Sequence, residues 1–313
     1  MRVWNGIESL DAGRSRVVAT IGNYDGVHRG HRAILDHVLR DAREAKLPAA
    51  LITFDPHPLT VIAPERRPDL VQTRGQKLRS LEEAGLDEVL ILRFSHELAQ
   101  LDGRDFFERY LLPRFPLHSV RVGENFRFGR GRKGTFETLQ EIGEADNFAV
   151  HGITPVQEGE TVVSSTAIRK AVRSGDVERA HELLGRPFAL TGLVARGEAR
   201  GRELGFPTAN LETDNMLLPL NGVYGTETRT LGGRFPSMTN IGLRPTFSGE
   251  SLSIETHLLD FDESLYGQRL EVDFLARLRD EQRFADVSEL TDQLARDRAA
   301  TESYFSRIEL PTS

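Results

Sequence analysis

The amino-acid sequence predicts a two-domain α/β protein, in which a parallel sheet flanked by helices is followed by a small antiparallel β-barrel and a C-terminal helix. In the first part of the chain, short apolar runs alternate with helical patterns, which is typical of a parallel α/β sheet. After Gly185-Arg186-Pro187 the pattern changes to short β-type runs separated by Gly and Pro turns, which favours a barrel. Because 313 residues suffice for two hydrophobic cores, we place the domains at residues 1–184 and 185–313.

The first domain is expected to contain five strands with helices between them. The strand runs are Val17–Ile21, Ala49–Phe54, Glu88–Leu92, Ser119–Val122 and a weaker run at Phe148–His151. The helix after the first strand has an apolar stripe, and further helices are expected at Gln76–Ala84, Gly103–Leu112 and Thr135–Ile142. The stripe consists of Ile34, Leu35, Val38, Leu39 and Ala42. Ligands gather at the carboxyl ends of parallel strands, so we expect one cleft lined by Gly22–Gly30, Asp55–Pro58 and Gly123–Gly131.

The second domain is expected to form its barrel from short strands of even spacing. These runs are Phe188–Val194, Gly222–Arg229, Pro236–Ile241, Ser253–Leu259 and Gln268–Leu278. A helix should finish the chain, and its buried side is predicted to hold Val287, Leu290, Leu294, Tyr304 and Phe305.

Composition excludes several classes of function. The chain has 47 acidic and 40 basic residues and a net charge of −7, which argues against a general nucleic-acid-binding protein. It has no cysteine, which rules out disulfides, a thiol nucleophile and a cysteine-ligated metal. No apolar run approaches the length of a membrane span. We therefore expect a cytoplasmic protein with no membrane or nucleic-acid partner.

The segment Gly22–His31, GNYDGVHRGH, is the most informative part of the chain. It lies where a strand passes into a helix, and there free backbone N–H groups and the helix dipole favour a phosphate. Gly22, Gly26 and Gly30 allow the backbone to approach a ligand closely. His28 and His31 are three residues apart and can face one bound group, which suits charge stabilisation during nucleotidyl transfer. A metal site is the alternative, but zinc usually needs three or four ligands and no third one stands nearby.

Two further segments follow predicted strands of the first domain. In FDPHP, Asp55 can accept hydrogen bonds and His57 can donate to a phosphate, while Pro58 helps to stiffen the turn. In VGENFRFG, Asn125 offers an amide for ring recognition and Arg127 a fork for phosphate. The two phenylalanines of that segment are expected to belong to the core.

The string SSTAIR is expected to open a helix. Ser164 or Ser165 can cap it, the amides from Thr166 onward can hold an anion, and Arg169 reaches the same side one turn later. As an isolated string it would be no more than a well-capped helix.

The second domain begins with TGLVARGEARGRELGFPTANL, a Gly- and Arg-rich hairpin that resembles a phosphate-gripping loop and contains Gly201 and Arg202. Thr208 and Asn210 are two residues apart in an extended segment and therefore share a face. Their oxygens could hold a magnesium ion that bridges nucleotide phosphates. A glycine turn followed by a strand with solvent-facing polar residues is the alternative for each piece alone.

These motifs, in this order, resemble the bifunctional riboflavin kinase/FAD synthetase family over nearly the whole chain. The first-domain segments resemble a Rossmann-like nucleotidyltransferase domain, the FAD synthetase module, and GRELGFPTAN resembles the riboflavin kinase signature. The match continues through Gly222–Thr226, Asn240–Phe247 and Ile254–Gly267. The resemblance implies that ATP phosphorylates riboflavin to FMN and then adenylylates FMN to FAD with release of pyrophosphate. FMN and FAD are then substrate and product, and Mg²⁺ accompanies ATP.

The resemblance also implies roles for individual residues. His28, His31 and Glu255 are the implied catalytic residues, with Thr208 and Asn210 as metal ligands. The implied ATP- and phosphate-binding residues are Gly22, Asp25, Gly26, Gly30, Ser164, Ser165, Thr166, Arg169, Gly201, Arg202, Thr208 and Asn210. The implied flavin-binding residues are Asp55, His57, Pro58, Asn125 and Arg127. Glu255 is the implied catalytic base, and Asp260 and Asp262 remain alternatives.

Three other functions stay open at this point. One is an enzyme with a single remaining activity, and another is a transferase for a different small phosphate such as a pantetheine or choline derivative. The third is a flavin-binding carrier or regulator without turnover. The expected small-molecule partners are riboflavin, FMN and ATP, and the chain is expected to be a monomer or a weak homo-oligomer.

Overall fold

The protein folds around two separate β-sheets, as the sequence predicts. The computed structural model describes residues 1–196, 201, 204–246 and 249–307, with the side chains of 244–246 and 249–251 left aside. The Cα positions group into two compact units, Met1–Ser165 and Thr166–Ser313. The expected α/β class, with a parallel sheet before an antiparallel barrel and a final helix, is confirmed.

The first unit contains a six-stranded parallel sheet in the order β1-β4-β3-β2-β5-β6. Its strands are β1 (Arg2–Asn5), β2 (Val17–Ile21), β3 (Ala49–Asp55), β4 (Glu88–Arg93), β5 (Leu117–Gly123) and β6 (Ala149–Ile153). After β2 the chain adds strands in one direction, and after β4 it returns to the other side of β2. The loops after β2 and β5 therefore border the switch point, where α/β sheets bind ligands.

Helices cover both faces of this sheet. They are α1 (Arg29–Ala45), α2 (Pro58–Ile62), α3 (Arg74–Glu83), α4 (His96–Gln100), α5 (Gly103–Asp105), which continues as a π-helical segment over Phe106–Leu111, and α6 (Phe136–Ala145). A short hairpin, β7 (Gln157–Glu158) with β8 (Thr161–Val162), completes the unit.

The central strand β2 joins two hydrophobic cores. Val17, Ala19 and Ile21 enter one core, whereas Val18 enters the other, because alternate side chains of a strand point to opposite faces. The second core contains the predicted stripe of α1, of which Leu35, Val38 and Ala42 are buried. A strand buried on both faces holds the loop that follows it in a fixed place.

The second unit is a closed barrel in the order β10-β13-β12-β11-β14-β9. Its elements are α7 (Ser165–Arg173, of which Ser165 is counted with the first unit), α8 (Val177–Leu184), β9 (Phe188–Ala195), β10 (Ala209–Thr213), β11 (Gly222–Thr230), β12 (Gly233–Thr246), β13 (Gly249–Leu258), β14 (Arg269–Arg279) and α9 (Val287–Phe305). α8 packs against β9 and β14, and Arg277 N–H donates to Glu178 Oε1 at 3.2 Å. This helix therefore belongs to the packing of the barrel.

The predicted buried side of the last helix is wrong at its first residue. Val287 is 62% exposed, and the residues of α9 that are buried are Asp297 and Thr301. Asp297 Oδ2 accepts from Arg279 Nη2 at 2.7 Å, so an ion pair fixes the middle of the helix against β14. The other predicted positions, Leu290, Leu294, Tyr304 and Phe305, are half-buried. Val287, in the first turn of the helix, therefore stays in solvent.

Within the described ranges, every helix is too short or too polar to traverse a lipid bilayer.

Candidate active sites

The two histidines of the first unit stack on each other at the beginning of α1. His28 is the N-cap of the helix, and its Nδ1 accepts from the His31 backbone N–H at 3.3 Å. The ring centroids lie 3.6 Å apart with an interplanar angle of 18°. Because Nδ1 of His28 is an acceptor, the proton of the neutral ring resides on Nε2, which makes Nε2 a donor. The predicted pair is therefore brought together in one rigid arrangement.

Tyr24 stacks against the His31 side of this pair. Its ring stacks on His31 at 4.3 Å, and its hydroxyl forms a 2.7 Å hydrogen bond with Thr20 on β2. Burial raises the pKa of Tyr24, so the phenol stays neutral at physiological pH. The ring thus orients His31 without adding a charge to the site.

The loop between β2 and α1 needs its glycines for two different reasons. Gly26 has φ +92°, a conformation that residues with a side chain rarely adopt. A Cβ at Gly30 would lie 3.2 Å from the His28 ring and 3.5 Å from the Val163 carbonyl oxygen. Gly22 borders the ring of Tyr24, which a Cβ there would approach at 3.3 Å. There is therefore little room for a side chain at Gly30 beside the His28 ring.

Asp25 ties the same loop to two other segments of the first unit. Its carboxylate accepts the Val71 N–H through both oxygens, at 2.9 and 3.2 Å, and is buried. Its backbone carbonyl accepts from Ser165 Oγ at 2.9 Å. Ser165 therefore adjoins the loop, and Ser164 precedes it in the chain. Thr166 and Arg169 lie on α7, among the residues grouped with the second unit.

A cleft opens beside this loop at the carboxyl ends of β2 and β3. Its lining comes from the loops after these strands, from the end of β3, from β4 and from α3 with the segment that leads into it. The lining residues are Asn23, Asp25, Thr53, Phe54, Asp55, His57, Leu70, Gln72, Arg74, Lys77, Leu78 and Ile91. His57 caps α2 through Nδ1, its Nε2 lies 3.1 Å from Asn23 Nδ2, and Pro58 is the first residue of that helix. Asp55 forms a 3.4 Å ion pair with Arg74.

Lys77 is a cleft residue that sequence reasoning missed. Its ammonium donates to Thr53 Oγ1 at 2.8 Å and to the Asn23 carbonyl oxygen. Burial lowers its pKa to about 8, although Asp25 and Asp55 act in the opposite direction. Lys77 stands in the middle of an ordinary charged helix, so no local pattern in the sequence marks it.

Asn125 and Arg127 follow β5 and are exposed. They do not line the cleft between β2 and β3, because β5 flanks β2 on its other side. Arg127 donates to the Phe126 carbonyl oxygen at 3.0 Å. Phe128 is buried and Phe126 packs against the same core, which confirms the expectation for the two phenylalanines.

The candidate site of the second unit lies at the junction of β10 and β13. Thr208 Oγ1 donates to Glu255 Oε2 at 3.1 Å, and Ser253 Oγ donates to Glu255 Oε1 at the same distance. Asn210 on β10 pairs directly with Glu255 on β13. Ala209, between the two polar residues, is buried in the barrel, so Thr208 and Asn210 share its outer face. Four oxygen-bearing side chains from two segments that are distant in sequence thus come together.

The alternatives to Glu255 lie elsewhere in the second unit. Asp260 pairs with Arg298 on α9 at 2.6 Å, and its side chain is 84% exposed. Asp262 is exposed in the following turn. Gly201 lies beside the Phe206–Thr208 segment, where a Cβ would lie 2.4 Å from the Phe206 carbonyl oxygen. Arg202 and Phe247 fall outside the described residues.

His257 is a second residue that the sequence did not reveal. It follows Glu255 by two positions on β13 and is buried. Its Nδ1 lies 2.8 Å from the Pro207 carbonyl oxygen, and its ring packs edge-on against Phe206. Since Nδ1 donates to that oxygen, His257 anchors the segment that carries Thr208. The alternation of β13 is the signal that could have placed His257 beside Glu255.

Comparison with protein-family models divides the chain into two matched parts. Residues 11–167 match the FAD synthetase family, and residues 184–305 match the riboflavin kinase family. The histidine pair lies in the first part, and Glu255, Thr208 and Asn210 lie in the second.

Curated relatives match the chain over nearly its full length. The bifunctional riboflavin kinase/FMN adenylyltransferase of Escherichia coli (strain K12) is 39% identical, over 97% of this chain and 98% of the relative. The protein of the same name from Bacillus subtilis (strain 168) is 34% identical, over 94% of each. A crystal structure from Streptococcus pneumoniae that carries the name Macrolide-efflux Protein is 31% identical, with a TM-score of 0.89 over 96% of this chain and 99% of that one. The chain belongs to the family of bifunctional riboflavin kinase/FMN adenylyltransferases.

Proposed function

We propose that the chain makes FMN from riboflavin and ATP at the β10–β13 junction, and FAD from FMN and a second ATP at the β2–α1 loop. The observation that carries this proposal is the stacked His28–His31 pair at the start of α1, inside the part that matches the FAD synthetase family. The oxygen cluster around Glu255, inside the riboflavin kinase part, supports the other half.

In the adenylyl transfer, an oxygen of the FMN phosphate attacks the α-phosphorus of ATP. A new P–O bond forms, the bond to the β-phosphate breaks, and pyrophosphate leaves. Negative charge grows on the oxygens around the α-phosphorus, and donors already in place lower the free energy of that transition state. His28 Nε2–H, the His31 ring and the amides of the first turn of α1 are the donors we assign to it. Ser164 and Ser165 are assigned to the phosphates of ATP.

In the kinase reaction, the ribityl hydroxyl of riboflavin attacks the γ-phosphorus of ATP. Glu255 accepts the hydroxyl proton or orients it, and ADP leaves. The hydroxyls of Thr208 and Ser253 hold both carboxylate oxygens of Glu255, which fixes the direction of its lone pairs. We therefore assign Glu255 as the base and His257 as the residue that keeps Thr208 in register.

The residues around Glu255 fit a magnesium ion. Mg²⁺ prefers oxygen ligands, and Thr208 and Asn210 present a hydroxyl and an amide on one face. Thr208 Oγ1 donates its proton to Glu255, which leaves oxygen lone pairs for a cation. When bound with ATP, the ion neutralises charge on the phosphates that are transferred.

The flavin of FMN is assigned to the cleft beside the histidine loop. Asp55, His57 and Asn23 offer polar contacts there, and Phe54 offers an apolar wall. Asn125 and Arg127, which follow β5 on the other side of β2, are also assigned to the flavin nucleotide. We place the boundary between the two catalytic domains at Gly185, and we expect a cytoplasmic protein that is a monomer or a weak homo-oligomer.

The test is a time course with riboflavin, ATP and MgCl₂, in which flavins are separated by chromatography. FMN should form first with ADP, and FAD should follow with pyrophosphate. Chelation of magnesium should stop the formation of FMN. Persistent riboflavin in the presence of bound ATP would contradict the proposed kinase, and FMN that never becomes FAD would contradict the proposed transferase.

A further inference from the structure

Lys77 places an ammonium group in the wall of the cleft in the first unit. It extends from α3 to the base of the histidine loop, where it reaches the Asn23 carbonyl oxygen and Thr53 Oγ1. An ammonium has three protons, and these two bonds use two of them. The side chain is only partly buried and lines the cleft. Among the residues that the structure describes, no acceptor takes the third N–H, which thus remains for a ligand.

The charges that face Lys77 leave its cation incompletely compensated. Its two direct partners are neutral oxygens. The carboxylate of Asp25, on the loop after β2, is held by the Val71 N–H, and that of Asp55, at the end of β3, is engaged by Arg74 at the start of α3. His57 is the other titratable group in the cleft lining. A cation in such a place gains from an incoming anion.

We propose that Lys77 binds a substrate phosphate in the adenylyl-transfer cleft, and that the same bond network fixes this phosphate relative to the histidine loop. This inference rests on the function proposed above, because it requires that the cleft serve adenylyl transfer. The phosphate belongs either to FMN or to ATP. The Asn23 carbonyl that accepts from Lys77 is five residues before His28, so the ammonium joins the substrate to the loop that carries the histidines.

The proposal predicts a distinctive pH profile. The ammonium loses its proton as the pH rises through the pKa of Lys77, which burial lowers to about 8. The kcat/KM of FAD formation should therefore fall above pH about 8, since kcat/KM reports groups of the free enzyme. We call this fall the limb near pH 8. Bound phosphate stabilises the ammonium, so the corresponding fall in kcat should occur at a higher pH.

The experiment compares Lys77→Met and Lys77→Arg with a matched control, Lys46→Met. Lys46 is an exposed lysine at the C-terminal end of α1, whereas His28 caps the N-terminal end of the same helix. FAD formation is measured in the full chain from added FMN, ATP and MgCl₂ between pH 6.5 and 9.5. Lys77→Met should lower kcat/KM about 10- to 100-fold, the usual loss for a hydrogen bond to a charged group, and should abolish the limb near pH 8. Lys77→Arg should keep activity at high pH, because its guanidinium stays charged.

The kinetics identify the phosphate. An increase of KM for FMN alone assigns it to the flavin nucleotide, and an increase for ATP alone assigns it to ATP. FMN formation from riboflavin by the same variant reports that the second unit is intact. Lys77→Met with the rate of Lys46→Met, or with the limb near pH 8 preserved, would overturn the proposal.

Two further measurements separate the possible failures. If Lys77→Met does not fold, Lys77→Arg decides alone, and an unchanged limb near pH 8 in that variant counts against the proposal. His28→Ala tests the proposed function by itself. Loss of FAD formation in His28→Ala, together with a normal Lys77→Met, would refute only the phosphate-binding role. Normal FAD formation in His28→Ala would refute the proposed site.

Discussion

Replacing Glu255 by Gln removes the proposed base of the kinase reaction with almost no change in shape. The side chain lies at the β10–β13 junction, where the hydroxyls of Thr208 and Ser253 donate to its two oxygens at 3.1 Å each. Glutamine keeps one oxygen as an acceptor for one of these hydroxyls. The other hydroxyl can rotate and accept from the new amide, so the strand pairing of Glu255 with Asn210 should persist.

The expected loss of rate follows from the chemistry that is removed. General-base help contributes about 10²- to 10⁴-fold, which corresponds to about 2.7 to 5.4 kcal/mol of activation free energy. Rearranging the two hydroxyl bonds should cost less than this, because each neutral hydrogen bond contributes only about 1 kcal/mol. The effect should fall on kcat, since ground-state binding of riboflavin and ATP does not need the proton transfer.

The assay is initial-rate FMN formation, with FAD synthesis from added FMN as an internal control. Ser253→Ala is a matched variant that removes one hydrogen bond to Glu255 and keeps the base, and it should lose no more than about tenfold. Asp260→Asn should be close to wild type, because Asp260 pairs with Arg298 at the surface. Near-normal kinase turnover in Glu255→Gln would refute the assignment, and a large loss in Asp260→Asn would transfer it there.

Three more outcomes are expected. Gly30→Ala should lower FAD formation roughly tenfold with the kinase rate unchanged, because the new Cβ lies 3.2 Å from the His28 ring; a wild-type rate would contradict the packing argument. The fragments 166–313 and 185–313 should both make FMN. The shorter one should melt at a lower temperature, because it lacks the packing of α8 on β9 and β14. Equal melting temperatures would show that α8 does not stabilise the barrel. Burial raises the pKa of Asp273 to about 6, so the folded state binds the extra proton and the second unit should lose stability as the pH rises from about 4 to about 6. Asp273→Asn should flatten that dependence in urea unfolding, and an unchanged slope would assign it to other groups.

The elements with strong local patterns could be predicted from the sequence. β2 has the predicted bounds, because a run of β-branched residues between turns has no competing conformation. α1 buries the predicted stripe because its apolar residues recur at helical spacing. The edge strand β1 was missed, since its four residues have no alternation and become a strand only by pairing with β4. β10 was anticipated only as an extended segment, and its strand character comes from β9 and β13.

The candidate sites could be predicted from the sequence only at residues that belong to a recognisable motif. The pairing of His28 with His31 follows from their spacing at a helix start. Lys77 acts through a contact with the distant segment at Asn23, and such a contact leaves no mark in the local sequence. The alternation of β13 could have placed His257 beside Glu255, but it could not reveal the contact of His257 with Pro207. Val287 was predicted to be buried and is exposed. A helical stripe shows which side of a helix is apolar, but it does not show where the surface under the helix ends.

The central claim is that two separate sites in this chain carry out two successive reactions. The measurement that tests it most directly is the flavin profile of the His28→Ala/His31→Ala variant beside that of Glu255→Gln, each incubated with riboflavin, ATP and MgCl₂ and then separated by chromatography. The histidine variant should accumulate FMN without FAD, and Glu255→Gln should leave riboflavin unconverted yet turn added FMN into FAD. FAD formation at the wild-type rate by the histidine variant, or loss of both reactions in either variant, would contradict the account.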